Sequence, residues 1–183
     1  MPRLFTGLEI PSDVADELAF LRGGVFGARW IDPEFYHLTL RFIGDVDQAR
    51  AEDVFDELQR IERKAFPVTF DGLSAFGGDR PRALVANALP SSELTGLQAE
   101  HERAARRAGL APETRKFTPH VTLARLRGVS PETAADYLGA RSLPAPLTFV
   151  ASRFILYSAR DSVGGGPYIE EASFALGSRL RSG

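Results

Sequence analysis

Two tetrapeptides in this chain nearly repeat each other, His37-Leu38-Thr39-Leu40 and His120-Val121-Thr122-Leu123, set 83 positions apart. The chain holds only three histidines, so two of them in matching His-x-Thr-Leu settings constrain the fold strongly. The apolar residues around each threonine and its β-branched side chain predict strands. Side chains two apart on a strand share a face, so each motif presents its His and Thr together while Leu or Val points into a core. If the halves pack about an approximate two-fold axis, two imidazoles and two hydroxyls converge on one cleft. That set suits a tetrahedral anion attacked on one side and released on the other, with one imidazole as base and the other as acid.

With 183 residues, 44% of them hydrophobic, the chain is expected to bury a core as one compact domain or two intimate lobes. No low-complexity segment or linker separates the two motif halves, so a single bilobal unit over 1–183 is expected. It has no cysteine, which excludes a disulfide framework, a thiol nucleophile and a thiolate zinc site. The start lacks a signal-peptide pattern and no apolar run approaches membrane-spanning length, so the expectation is a soluble, cytoplasmic protein without a membrane partner. The net charge is −2, which argues against a general nucleic-acid coat. Charge is uneven, however: Arg103, Arg106, Arg107, Arg115, Lys116, Arg125 and Arg127 precede or follow the second motif with Glu113 as the one acid between them. That run is either a local attraction for phosphate or an ordinary solvated face.

Alternation from Arg3 to Ile10 predicts a strand, and Pro11-Ser12-Asp13 opens a helix with Val14, Leu18 and Leu21 on one face. The first motif strand runs to Ile43. A helix with Ala51, Val54, Leu58 and Ile61 as its stripe follows, then strands from Pro67 to Leu73 and from Ala83 to Leu89. Ser91 and Ser92 start a helix carrying Leu94, Leu97, His101 and Ala104, and Ser130-Pro131 starts another. Leu147 to Tyr157 and Tyr168 to Leu176 read as a strand pair across Gly164-Gly165-Gly166. Several strand pairs have links too short for a parallel crossover, which favours an antiparallel or mixed α+β arrangement.

The duplicated motif has companions: Arg3-Leu4-Phe5, Trp30-Ile31-Asp32-Pro33-Glu34 before His37, Phe42-Ile43-Gly44 after it, Phe117-Thr118-Pro119-His120, Ala124-Arg125 and Gly166-Pro167-Tyr168. Together they resemble the two-histidine (2H) phosphoesterase superfamily, and within it the bacterial and archaeal RNA 2′,3′-cyclic phosphodiesterases, historically called 2′-5′ RNA ligases. The resemblance implies two pseudo-symmetric antiparallel sheet lobes with helices outside and a central cleft. It implies metal-independent opening of a 2′,3′-cyclic phosphate on RNA ends or nucleotides to a 2′-phosphate, with no cofactor. Reverse 2′-5′ ligation is a side activity to consider. Two other readings stay open: a non-catalytic nucleotide-binding module and a small-molecule cyclic phosphodiesterase. A monomer is expected.

Carried onto this sequence, His37 and His120 are the acid/base pair, and analogy makes His120 the base and His37 the acid. Thr39 and Thr122 would hold nonbridging phosphate oxygens. Arg125 matches a basic position of the family, although strand period alone points it away from the cleft, so a bulge, strand end or long reach must return it. Arg41 shares the face of His37 by period, as a phosphate contact or as a rim charge in a surface salt bridge. Phe117 and Tyr168 are candidates to stack on a base, or to pack at strand ends. His101, on an apolar helix stripe, reads as a packed histidine. Zinc held by His37, His120 and Asp45 matches no common metal spacing, and the glycine triplet lacks the Lys-Ser/Thr of a P-loop.

Overall fold

The computed structural model describes residues 3–143, 145–159 and 165–177. In chain order these form β1 (Arg3–Glu9), α1 (Ser12–Ala19), β2 (Ala28–Trp30), a 3₁₀ turn (Pro33–Phe35), β3 (His37–Asp45), α2 (Gln48–Leu58), β4 (Phe66–Phe76), β5 (Ala83–Ala88), α3 (Ser92–Arg107), β6 (His120–Leu126), α4 (Pro131–Ala140), β7 (Leu147–Ala151), β8 (Arg153–Ala159) and β9 (Ile169–Ala175). The fold is α+β. Among the described residues no helix is long and apolar enough to cross a membrane.

Helix starts follow their side chains. The Asp47, Ser91 and Ser130 side chains accept hydrogen bonds from the backbone N–H of Arg50, Leu94 and Thr133, satisfying donors that the first turn leaves unpaired.

The strands make one antiparallel sheet in the order β7-β4-β5-β6-β3-β1-β8-β9, with β2 also on β6. Two four-stranded halves meet at its centre, and the strands that meet are the two His-x-Thr-Leu strands. Their junction is narrow: Leu38 opposite Val121 is the registered pair between β3 and β6. Further along the same edge of β6, β2 takes over the pairing, with Ala28, Arg29 and Trp30 opposite Leu126, Arg125 and Ala124. β3 thus leaves β6 after one contact, and the sheet opens into two lobes around a cleft.

Helices α2 and α3 back the β3 half. His101 of α3 bonds Thr6 of β1 at 2.8 Å and meets the Phe154 ring of β8, while Phe55 of α2 meets Phe174 of β9. Helices α1 and α4 lie toward β4 and β7; they are tied where the Tyr137 hydroxyl donates to the Leu21 carbonyl at 2.6 Å. Close approach of β1 to β3 depends on Gly7, where a Cβ would come within 2.8 Å of the Leu38 carbonyl oxygen and 3.5 Å of the Tyr157 ring.

The segment expected as one strand from Leu147 to Tyr157 is two. It breaks at Ser152, and the chain crosses from one edge of the sheet to the other half: β7 pairs β4, whereas β8 lies between β1 and β9. The apolar run contains no glycine or proline to mark that break. Of the expected glycine hairpin, Gly164 lies outside the described residues.

Candidate active site

β3 and β6 carry the same irregularity at the same place. On β3, Thr39 pairs with Gly7 but Arg41 with Thr6, so Leu40 is an extra residue. On β6, Thr122 pairs with Val85 but Ala124 with Leu84, so Leu123 is extra. Each is a β-bulge directly after the motif, and a bulge reverses which face the following side chains take. Burial follows: alternation holds through His, x and Thr, then two consecutive residues are buried, Leu40-Arg41 and Leu123-Ala124, before Phe42 and Arg125 emerge exposed.

The bulge supplies the return that Arg125 required, and it removes Arg41 from the face that period assigned it. Arg41 borders the cleft, but it stands opposite Thr6, whose hydroxyl meets α3. Its guanidinium is 8% exposed and bonds the Glu102 carboxylate at 2.5 Å, the Ala111 carbonyl at 2.7 Å and the Phe42 carbonyl. The head group is thus committed to protein acceptors on the helix side, and its ion pair is part-buried rather than a surface rim contact.

His37, Thr39, His120, Thr122, Arg125, Phe117 and Tyr168 all line one cleft of about 810 Å³. The Leu38–Val121 register sets His37 across from Thr122 and Thr39 across from His120, so each imidazole neighbours the other motif's hydroxyl. The imidazoles are fixed alike. His37 Nδ1 lies 2.9 Å from the Phe35 carbonyl oxygen and His120 Nδ1 2.7 Å from that of Thr118, in both cases two residues earlier in the chain. A carbonyl only accepts, so Nδ1 carries the proton in each ring and Nε2 is left for the cleft.

Their surroundings differ. His37 sits among Phe5 at 4.8 Å, Tyr168 at 4.9 Å and Tyr157 at 5.7 Å between ring centres. Loss of water in that setting drives its pKa down to about 4, against the upward pull of the Phe35 carbonyl, with the Arg125 and His120 charges pushing further down. His120 meets Phe76 edge to face at 4.6 Å. Its pKa is lowered too, by desolvation against the Thr118 carbonyl bond and with Arg125 adding to the fall. His37 is the more strongly shifted of the two rings in the free protein.

Tyr168 reaches His37 through a close-packed segment: its hydroxyl accepts from the Gly165 N–H at 2.8 Å, and Gly166, at φ 93°, passes so near Phe35 that a Cβ would lie 2.7 Å from that ring. His101 is the packed histidine expected, 1% exposed, with Nδ1 on Thr6 and Nε2 unpartnered. Sequence reasoning missed Tyr157, Phe76 and Arg82, which reach His37, His120 and the cleft respectively. Nothing in their local sequence distinguishes them from ordinary strand and loop residues, and only the register brings them to the motif.

Comparison with known proteins agrees with this two-fold design. A family model described as LigT like phosphoesterase matches residues 8–86 and again 88–168, one match around each motif. The chain belongs to the LigT-like phosphoesterase family. It is similar to the RNA 2′,3′-cyclic phosphodiesterase of Aeropyrum pernix, 38% identical over 117 residues that span 63% of this chain and 60% of the relative. The protein of the same name from Aquifex aeolicus is 34% identical over 115 residues, 60% of this chain and 61% of the relative. The matched stretch thus spans about three fifths of the length of each of these relatives. The crystal structure of E. coli LigT complexed with 3′-AMP superposes with a TM-score of 0.76 at 25% identity, covering 96% of this chain and 99% of that one.

Proposed function

We propose that the chain, acting as one bilobal unit, hydrolyses 2′,3′-cyclic phosphate ends of RNA or nucleotides to 2′-phosphates by acid/base catalysis between His37 and His120, with no metal in the reaction. The observation that carries this reading is the Leu38–Val121 register, which sets two backbone-anchored imidazoles and two hydroxyls about one centre in a cleft that Arg125 also lines. The names of the two relatives and the nucleotide bound to E. coli LigT point to the same substrate class.

In the proposed reaction a neutral imidazole accepts a proton from water as the water oxygen bonds to phosphorus. The bond from phosphorus to the ribose O3′ breaks, and the other imidazole, as imidazolium, gives its proton to that oxygen. The products are a 2′-phosphate and a 3′-hydroxyl. Both rings are neutral at pH 7 in the free protein, so the acid must be charged by its substrate: the anionic phosphodiester favours imidazolium beside it. Thr39, Thr122 and Arg125 donate to the nonbridging oxygens, where charge gathers in the transition state.

The test is incubation of the purified protein, with EDTA present, with 2′,3′-cyclic AMP and with an oligonucleotide ending in a 2′,3′-cyclic phosphate, followed by identification of the product isomer. A 2′-phosphate is expected from both. A 3′-phosphate, a requirement for added divalent ion, or binding without turnover would overturn the proposal, the last in favour of a nucleotide-binding module.

A further inference from the structure

We propose that the RNA strand leading to the reacting end runs out of the cleft over β2 and the end of β6, past Arg125 at the reacting phosphate, its further phosphates held by Arg29 and Arg127 and one base stacked on Phe26. This rests on the cyclic-phosphate reading above and names the part of the substrate that a mononucleotide lacks.

The argument starts from register. Arg29 on β2 stands directly opposite Arg125 on β6, and directly opposite residues of an antiparallel pair share a face. Arg125 lines the cleft, so the pair extends the cleft face outward onto β2. Arg127, two residues beyond Arg125, returns to that face by strand period, and its N–H still bonds the Gly27 carbonyl at 3.0 Å, continuing the β2–β6 ladder. The three guanidinium groups are exposed and their backbones lie about 5 Å apart across the strands and about 7 Å apart along β6.

The same ladder ends at the turn that carries Phe26. That ring is 100% exposed, whereas the adjacent Val25 is 8% exposed and packs with Leu126 and Val129. Gly27 fits the turn at φ 89°, where a Cβ would come within 2.6 Å of the Arg127 carbonyl oxygen. The turn is therefore anchored on β6 while it holds a bare aromatic ring in water one residue before Gly27, whose carbonyl takes the Arg127 N–H. Among the described residues Arg125 and Arg127 make no ion pair, in contrast to Arg3 and Arg115 of the same cleft, which pair with Asp45 and Glu113. A single nucleic-acid strand brings one charge per residue and a stackable base, and cationic positions interleaved with an aromatic are its usual platform. An acidic peptide would use the arginines and leave the ring without a partner.

Arg127→Ala, Phe26→Ala and Phe26→Trp distinguish this site from the reacting centre. Binding is read by fluorescence anisotropy of a labelled single-stranded oligoribonucleotide ending in a 2′-phosphate, across a salt titration, and turnover on 2′,3′-cyclic AMP is measured in parallel. Losing one phosphate contact in Arg127→Ala should lower the slope of log affinity against log salt by about 0.7. Phe26→Ala should weaken oligonucleotide binding by about tenfold, with Trp restoring it. Turnover of cyclic AMP should stay within about twofold for all three variants. Unchanged oligonucleotide binding in Arg127→Ala and Phe26→Ala overturns the inference, as does an equal loss on oligonucleotide and cyclic AMP. A wild-type protein that hydrolyses neither substrate refutes the proposed function alone, because the binding measurements still judge the strand path.

Discussion

Leu38 and Val121 are antiparallel partners, and theirs is the registered pair between β3 and β6 among the described residues. The approximate two-fold axis of the site runs through this pair. One step to either side brings His37 across from Thr122 and Thr39 across from His120, and the same bulge follows each motif. The lobes diverge beyond this contact, so among the described residues the site lies where β3 and β6 are held to each other by strand pairing.

Replacing either imidazole tests the acid/base role. His37→Ala and His120→Ala should each lower turnover of a cyclic-phosphate substrate by roughly 10²–10⁴. The double variant should lose far less than the product of the two losses, since the rings act as a unit. Single variants with near wild-type kcat would refute the mechanism.

Thr39→Val and Thr122→Val keep the shape and remove the donor. Each should cost about 1.5–3 kcal/mol in kcat/KM, the range for a hydrogen bond to a charged group, while Thr→Ser should cost much less. If the threonines only pack, the order reverses and valine is the better replacement, which kcat/KM and Tm measured on the same four variants will show.

Loss of water around His37 sets the acid side of the activity profile. With its pKa near 4, His37 stays neutral well below the ordinary imidazole value, so with His37 as the base kcat/KM should persist at about pH 5.5, where a normal imidazole would be mostly protonated. Titration of the histidine ring signals by NMR, in the free protein and then with a bound nucleotide phosphate, should show at least one ring moving to higher pKa on binding. No upward movement would leave the acid without its proton.

The buried His101 makes stability fall with acid. Its folded pKa is pushed down to about 3 by burial, against about 6.5 in the unfolded chain. The unfolded state therefore binds the proton first, and the contribution is complete above pH 6.5 and lost as pH falls toward 3. In that window this one residue adds up to about 1.4 kcal/mol of destabilisation per pH unit. Urea unfolding at pH 7 and 5 should show a shallower pH dependence in His101→Leu than in the wild type, whatever the offset in stability.

Arg41 should matter for folding far more than for phosphate. Arg41→Ala leaves the Glu102 carboxylate of α3 with the Glu113 N–H as its remaining donor and takes the donor from the Ala111 carbonyl, a loss of about 1.5–3 kcal/mol, the range for hydrogen bonds to charged groups. Denaturant unfolding should show that loss, and the folded fraction should retain KM for cyclic AMP. A raised KM at unchanged stability would return Arg41 to the substrate.

The sequence by itself determined the α+β class and most element positions, because capping serines, alternation and helical stripes are local signals. It also determined that His37, Thr39, His120 and Thr122 belong together, since a His-x-Thr strand must show both side chains on one face. What it could not carry was the phase beyond the motifs. Strand period alone assigns Arg41 to the cleft face and Arg125 away from it, whereas one extra residue on each strand, Leu40 and Leu123, brings Arg125 into the cleft and turns the Arg41 head group, at the cleft border, toward acceptors on the helix side. A bulge is a mismatch between two strands, so it exists only once β1 and β5 have paired with β3 and β6. The break at Ser152, which sends β7 and β8 to different lobes, is likewise decided by partners far away in sequence. So is the convergence of Phe5, Tyr157 and Tyr168 on His37. The His-x-Thr pattern was local enough to read, whereas where the Arg41 and Arg125 head groups go was fixed by pairing, a property of two strands that neither one records.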